Sequence, residues 1–250
     1  MLNLSGLTKH FGGVRAVDGI DLAVTQGEIL GLIGPNGSGK STIVNLICGL
    51  FPLTAGRVLF RDVDISDLPP HARVDRGIAR TFQNIRLFGQ LTVWQNLWVA
   101  QNSGEQRHEE RFLTRWFGGA RRARDEIDRT LEFFDLAHKR DELATNLAFG
   151  EQRRLEFARA LAAKPSLLLL DEPAAGMNAE EIDQLDDRIR KLRQGGVTIL
   201  LIEHHVELVM SVADRIAVLN FGQKIAEGTP AEIQANPAVR EAYLGTAAAA

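Results

Sequence analysis

The stretch Glu28–Thr42, "EILGLIGPNGSGKST", decides the fold. Its first six residues read as a short buried strand. Gly34, Pro35, Asn36, Gly37, Ser38, Gly39, Lys40 and Ser41 then fit G-x-x-x-x-G-K-[ST]. An apolar helical run follows from about Ser41 to Leu50, with Gly49 and Pro52 marking its end. Glycines let backbone N–H groups curl around phosphate oxygens along a path that Cβ atoms would obstruct. A lysine at position 40 reaches β- and γ-phosphates, and a hydroxyl at position 41 is a ligand for Mg2+. The helix turns its positive end toward the anion. A glycine turn with no ligand gives the same letters, but the strand before it and the helix after it select the phosphate loop.

A second stretch supplies the partner to this loop. "LLLLDE", Leu167–Glu172, reads as a buried strand ending in two acids. Asp171 is placed to hold a Mg2+ shell, and Glu172 to polarise an attacking water as general base. Just upstream, "LAFGEQRRLEFARAL" sets Gly150 at the mouth of a helix rich in arginine. Taken alone this segment is an ordinary amphipathic helix. It also has the form of a second phosphate site, more than a hundred residues from the first.

The bulk properties narrow the function classes. At 250 residues the chain suits one large domain, or a core with an inserted subdomain. The formal net charge of −3 offers no basic excess for nucleic acid. A single cysteine, Cys48, excludes an internal disulfide and sits in an apolar helical run. The N-terminus lacks a long apolar signal core, and no run reaches the ~18–20 apolar residues of a membrane span. Any membrane role is therefore expected to work through a partner.

Along the chain, "AGRVLFRDVDI" (residues 55–65) reads as a strand pair with polar turns. Thr92 and Gln95 have capping-box spacing ahead of a helix. The polar run 102–129 reads as a solvated helical surface. "SLLLL" and "VTILLIE" are continuous apolar strands, the pattern of a parallel sheet covered on both faces. A strand, turn and return strand are expected in 214–230, and closing helices after them. The order is that of one α/β core interrupted by a helical insertion.

These motifs together resemble the ATP-binding subunits of ABC transporters, over nearly the whole chain. Gly34–Thr42 is similar to the family's Walker A motif and Leu167–Glu172 to Walker B. "TFQN" resembles the Q-loop, "AAGMN" the D-loop and "LIEHH" the switch-histidine region. "LAFGEQRR" stands where the family has its signature, with Gly150 and Asp171 21 residues apart as the family places them. The resemblance implies a P-loop NTPase core of the ABC ATPase kind, α/β in class. That core would carry a small antiparallel β subdomain and an inserted α-helical subdomain. Residues 1–84 and 160–250 would form the core with its β subdomain, and 85–159 the helical subdomain carrying the signature.

The resemblance also implies ATP and Mg2+ as ligands and two subunits paired head to tail. Lys40, Glu172, His204 and Gln83 would serve catalysis. Ser41, Gln83 and Asp171 would hold the metal. Phe11 would stack on adenine, with Val17 flanking it. Gly34 to Thr42 would cradle the phosphates. From the second subunit, Leu147, Ala148, Phe149, Gly150 and Glu151 would close the site in trans. This answers why one chain carries two phosphate sites: each serves a different nucleotide. The signature departs from the commonest form, Leu-Ser-Gly-Gly-Gln, at Ala148, Phe149 and Glu151, and Asn178 stands where many members have aspartate. Ala148 has no hydroxyl to give a phosphate, a bond worth roughly 1.5–3 kcal/mol.

The finer strings "LAFGEQRRLEFARAL", "DEPAAGMN", "LLIEHHVELVM" and "REAYLG" resemble the branched-chain amino acid importer type, or relatives carrying urea or other amides. That resemblance implies a separate membrane permease, an indirect solute-binding protein, and a peripheral place on the cytoplasmic face of the membrane. Trp94 and Trp98, four apart on one helical face, are core or permease-facing. The rivals are the ATPase subunit of a lipid or lipopolysaccharide exporter and a soluble ABC-type ATPase acting on nucleic acid. A GTPase switch is disfavoured by the absence of an Asn-Lys-x-Asp motif.

Overall fold

The computed structural model describes residues 1–81, 85–101 and 120–244. Among these the strands are β1 (Leu2–Phe11), β2 (Val14–Val24), β3 (Ile29–Ile33), β4 (Ala55–Phe60), β5 (Val63–Asp64), β6 (Ile78–Arg80), β7 (Leu167–Asp171), β8 (Thr198–Ile202), β9 (Arg215–Asn220) and β10 (Gln223–Gly228). The helices are α1 (Lys40–Ile47), α2 (Pro70–Asp75), α3 (Val93–Gln101), α4 (Ala120–Phe133), α5 (Phe149–Ala162), α6 (Ala179–Gln194), α7 (Val206–Val212), α8 (Pro230–Ala235) and α9 (Pro237–Leu244). The chain divides into two compact units, residues 1–73 with 169–250, and residues 74–168. Residues 74–81 and 160–168 thus group with the helical unit, where the sequence reading assigned them to the core.

The first unit holds two sheets. In the smaller one the order is β2-β1-β4-β5. It is antiparallel throughout, with Leu4 opposite Leu22 and Leu2 opposite Phe60. Alternation along β1 sends Leu2 and Leu4 inward, and a register shift between Leu4 and Leu7 changes the parity so that Leu7 is buried too. In the larger sheet β10, β9, β3, β8 and β7 are successive neighbours. β3 pairs in parallel with β8 on one side and β9 on the other, with Leu30 opposite Leu200 and Gly31 opposite Ile216. Every residue of β3, β7 and β8 is buried, as continuous apolar strands in a doubly covered sheet require. Phosphate loop, Asp171 and His204 therefore all lie at or just beyond the C-terminal ends of strands, where α/β sheets bind ligands.

The helix behind the phosphate loop is secured by one side chain that sequence spacing did not single out. Arg73 is 2% exposed. Its guanidinium donates to Leu46 O at 2.7 Å and Ile47 O at 2.8 Å, two carbonyls in the last turn of α1. It also donates to Leu68 O and Ser66 O, at 2.9 and 2.7 Å. Burial pulls its pKa down, against the raising influence of Cys48, Asp67 and Asp64.

The second unit packs α3, α4 and α5 around Leu97, Ile127, Leu131, Phe134 and Leu155, with β6 beside the start of β7. The expected capping box opens α3: Gln95 N–H donates to Thr92 Oγ1 at 3.1 Å, and Thr92 N–H to Gln95 Oε1 at 2.9 Å. Fully buried Asn96 then organises the preceding loop. Its amide donates to the Phe88, Leu91 and Thr92 carbonyls and its Oδ1 accepts from Phe88 N–H.

Candidate nucleotide site

The phosphate loop is shaped by backbone bonds and close approaches. Ser38 N–H donates to Pro35 O at 3.2 Å, and Ile43 N–H to Gly39 O at 3.0 Å, starting α1. Gly222, in the β9–β10 turn, donates its N–H to Ser38 O at 3.1 Å. That hairpin turn therefore braces the loop. The hydroxyl of Ser38 is buried and has no partner among the described residues, whereas Ser41 is exposed. An unpartnered buried donor costs about 1–3 kcal/mol, so Ser38 Oγ fits a site that receives an acceptor from outside.

Lys40 is buried and its Nζ donates to Gly34 O at 2.7 Å and Pro35 O at 3.0 Å. Burial lowers its pKa, and the carboxylates of Glu172 and Asp171 act in the opposite sense. The structure thus brings the loop lysine into the field of both acids at the end of β7. Asp171 is 4% exposed and Glu172 is half-buried. Glu172 has φ 50°, the left-handed region that a non-glycine residue adopts only where its surroundings hold it there. Its N–H donates to Ile202 O at 2.8 Å, tying it to the end of β8.

His204 stands just beyond β8 with its side chain half exposed, its ring 4.6 Å from that of His205. Directly before it, Glu203 is fully buried. Its Oε1 accepts from Ala174 N–H at 2.7 Å, and Oε2 from His204 N–H at 3.0 Å and His205 N–H at 3.2 Å. Sequence reasoning passed over Glu203; its only signal was an acid directly after a wholly apolar strand.

Phe11 is 43% exposed at the end of β1. Lys9 Nζ lies 4.9 Å from its ring centroid, and Phe51 meets it edge-on at 5.3 Å. Val17, expected to flank the base, is fully buried. Its Cγ2 lies 3.4 Å from where a Cβ on Gly39 would sit, so it supports the loop from within and offers no open surface. At the opposite end of the first unit's chain, Tyr243 of α9 is mostly buried, and burial raises its phenol to about 12 from 10.0, with a backbone hydrogen bond at Gly34 pulling the other way. The C-terminal helix therefore reaches the first glycine of the phosphate loop.

In the second unit, Leu147 to Glu151 form the entry to α5. Ala148 is its N-cap and places no side-chain acceptor over the first N–H groups. Glu151 turns back, and its Oε2 accepts from Ala148 N–H at 2.9 Å. Lys139 Nζ lies 3.1 Å from Glu151 Oε1. Burial opposes ionisation of Glu151, but the Ala148 N–H, Lys139 and Arg154 outweigh it and lower its pKa; the bond to Glu151 raises that of Lys139. Phe149 is 55% exposed, under the guanidinium of Arg153. Asn178 caps α6, accepting Glu181 N–H at 3.0 Å, so its amide oxygen is committed within its own chain. Trp94 and Trp98 stack at 5.2 Å. Gln83 lies outside the described residues.

The family model described as "ABC transporter" matches residues 17–175, and that of the "Branched-chain amino acid ATP-binding cassette transporter" matches 223–249. The chain is 44% identical over 255 residues to the high-affinity branched-chain amino acid transport ATP-binding protein BraF of Pseudomonas aeruginosa, covering 99% of this chain and 98% of that one. It is 38% identical over 245 residues to the lipopolysaccharide export system ATP-binding protein LptB of Escherichia coli, covering 98% and 97%. Among solved structures, the ADP conformation of the cassette MJ1267 has TM-score 0.84 and 33% identity over 98% of each chain. The dimeric cassette MJ0796 has TM-score 0.79 and 26% identity, over 92% of this chain and 99% of that one.

Proposed function

The chain belongs to the ABC transporter family of ATP-binding cassettes, and from that premise we propose that it powers the uptake of branched-chain amino acids, or related amides, through a separate permease. Its core activity is ATP hydrolysis. One observation carries the choice of cargo: the C-terminal segment, residues 223–249, matches the branched-chain amino acid subgroup beyond the general cassette. Identity to BraF points the same way.

The chemistry follows from the site. Backbone N–H groups between Asn36 and Thr42, the Ser38 hydroxyl and Lys40 receive the phosphates. Lys40 exchanges its bonds to Gly34 O and Pro35 O for phosphate oxygens, a better match for a buried ammonium. Phe11, with one face covered by Lys9, offers the other to adenine. Glu172 takes a proton from water as its oxygen attacks the γ-phosphorus. The bond from that phosphorus to the bridging oxygen of ADP breaks, giving ADP and phosphate. His204 holds the γ-phosphate and orients the water, with Gln83 assisting. The exposed Ser41 hydroxyl and the buried Asp171 carboxylate, with Gln83, suit Mg2+, which takes few protein oxygens beside phosphates and water. Bound there, Mg2+ supplies charge neutralisation at the phosphate oxygens.

The α5 entry, residues 147–151, acts on the nucleotide of a second subunit. Its N–H groups would add donors to those of the phosphate loop at a shared nucleotide. Among the described residues no helix is long and apolar enough to cross a membrane. We place the protein at the cytoplasmic face, held by the permease.

The test is uptake of labelled leucine by cells lacking the chain. Wild type should restore it and Lys40→Ala should not. Unchanged uptake in the deletion strain, with lipopolysaccharide export impaired, would replace this cargo with the exporter reading. For the trans arrangement, mixing Gly150→Asp with Lys40→Ala subunits should leave one intact composite site in each heterodimer and recover activity. A formed but inactive heterodimer would contradict it.

A further inference from the structure

Glu203 has no place in the mechanism above, yet its surroundings are among the most constrained in the first unit. A carboxylate this deeply buried is costly to desolvate. Among the described residues no lysine or arginine is paired with it; its charge is met by the N–H groups of Ala174, His204 and His205. His204 Nδ1 also stands 3.6 Å from Oε2. A leucine would fill this volume without the penalty, so packing alone gives no reason for an acid.

The geometry supplies one. The two oxygens reach two different loops. Oε1 holds Ala174, two residues after the strained Glu172. Oε2 holds the turn that presents His204. A left-handed glutamate persists only if its neighbours over-determine the turn. The Glu172 N–H bond to Ile202 O restrains one side of that turn, and Glu203 the other.

We infer that Glu203 is a positioning residue for hydrolysis: its carboxylate clasps the loop carrying Glu172 to the loop carrying His204 and sets their separation. The inference rests on the proposed roles of those two residues. It explains why an acid follows β8, and it separates this residue from nucleotide binding, because among the described residues the bonds of Glu203 go to Ala174, His204 and His205.

The experiment measures steady-state ATP hydrolysis by the purified full chain, with rates normalised to sites titrated by a fluorescent ATP analogue. Glu203→Gln keeps the shape but sets an amide N–H against a backbone donor. Its kcat should fall about 10²-fold, the cost of an ångström-scale misplacement, with KM within about threefold of wild type. In a His204→Ala background the same change should lower kcat by clearly less than it does in the wild type, since the part of its effect that runs through His204 is already gone. Glu203→Asp keeps the charge but cannot span both loops. It should lose kcat with KM unchanged, and it serves where Glu203→Gln folds poorly. A kcat per titrated site within threefold of wild type in both variants, while Glu172→Gln is inactive, overturns the inference and leaves the hydrolysis reading standing. Full additivity with His204→Ala overturns it also. Absence of hydrolysis by the wild-type chain removes both.

Discussion

Gly39 gives a test of the phosphate loop whose size follows from the structure. It sits at φ 105°, and a Cβ there would lie 2.5 Å from the Ala16 carbonyl oxygen, where such contacts essentially never fall below 3.0 Å. Val17 Cγ2 at 3.4 Å and Gly222 Cα at 3.6 Å close the other directions. In Gly39→Ala, either β2 or the start of α1 must yield by about half an ångström, an overpacking cost of about 1–3 kcal/mol. The left-handed backbone adds about 1–2 kcal/mol. Gly37 is the control, for its φ is 79° but nothing lies within 4 Å of its absent Cβ. Gly37→Ala should therefore lose only the backbone share. Urea unfolding should show Gly39→Ala less stable than wild type by about 2–5 kcal/mol, and Gly37→Ala by about 1–2. If the loop shifts to relieve the clash, each N–H bond to phosphate that is lost weakens affinity for a fluorescent ATP analogue by roughly 10–150-fold. Equal stability and equal ATP affinity in the two variants would refute the claim that close approach of Ala16 shapes the cradle.

Glu172→Gln should bind ATP, hydrolyse it at least ~10²-fold more slowly, and accumulate as an ATP-held dimer in light scattering; normal turnover would contradict the base assignment. Arg73→Met should cost about 2–4 kcal/mol in urea unfolding, because the Leu46 and Ile47 carbonyls lose their buried donor, and a loss under about 0.5 kcal/mol would count against that cap. Tyr243 has a folded-state pKa of about 12 against an ordinary 10.0, so its contribution to stability is complete below pH 10 and fades as pH rises toward 12. Tyr243→Phe should therefore show a shallower fall in melting temperature across that window, and parallel curves would remove the effect.

The parts legible in the sequence are those that spacing encodes locally. The apolar runs at β3, β7 and β8 needed only their own letters, as did the Thr92–Gln95 box and the strand pair at residues 215–228. The phosphate loop was legible because its glycines act through their own backbone. What stayed hidden depends on partners distant along the chain. Glu203 meets Ala174 across 29 residues, and Arg73 meets Leu46 across 27. Neither bond leaves a trace in local spacing, and an isolated acid or arginine reads as a solvated charge. Ser38 and Ser41 look alike in the sequence, yet the loop buries one and exposes the other. Val17 likewise reads as surface beside Phe11, until the pairing of Lys9 with Val17 turns it inward.

The same reasoning resolves an apparent conflict in the signature segment. A glutamate in the first turn of α5 would repel any phosphate brought to that helix mouth, if its charge were free. It is not free, because one oxygen accepts the Ala148 N–H and Lys139 pairs with the carboxylate. The pair is mostly shielded, with side-chain exposures of 24% for Lys139 and 16% for Glu151. The local field seen by an approaching anion is therefore set by the remaining N–H groups of the helix entry and by Arg153 beside Phe149. Glu151 supplies one half of a capping box by tying down the Ala148 N–H, while Ala148, with no acceptor of its own, leaves the first helical N–H groups without a side-chain cap. Two of the three departures from the commonest signature, Ala148 and Glu151, thus belong together. Without a hydroxyl at position 148, the acid at 151 secures the helix start from the other direction, and in the proposed trans arrangement Lys139 offsets the charge that acid would present to a phosphate.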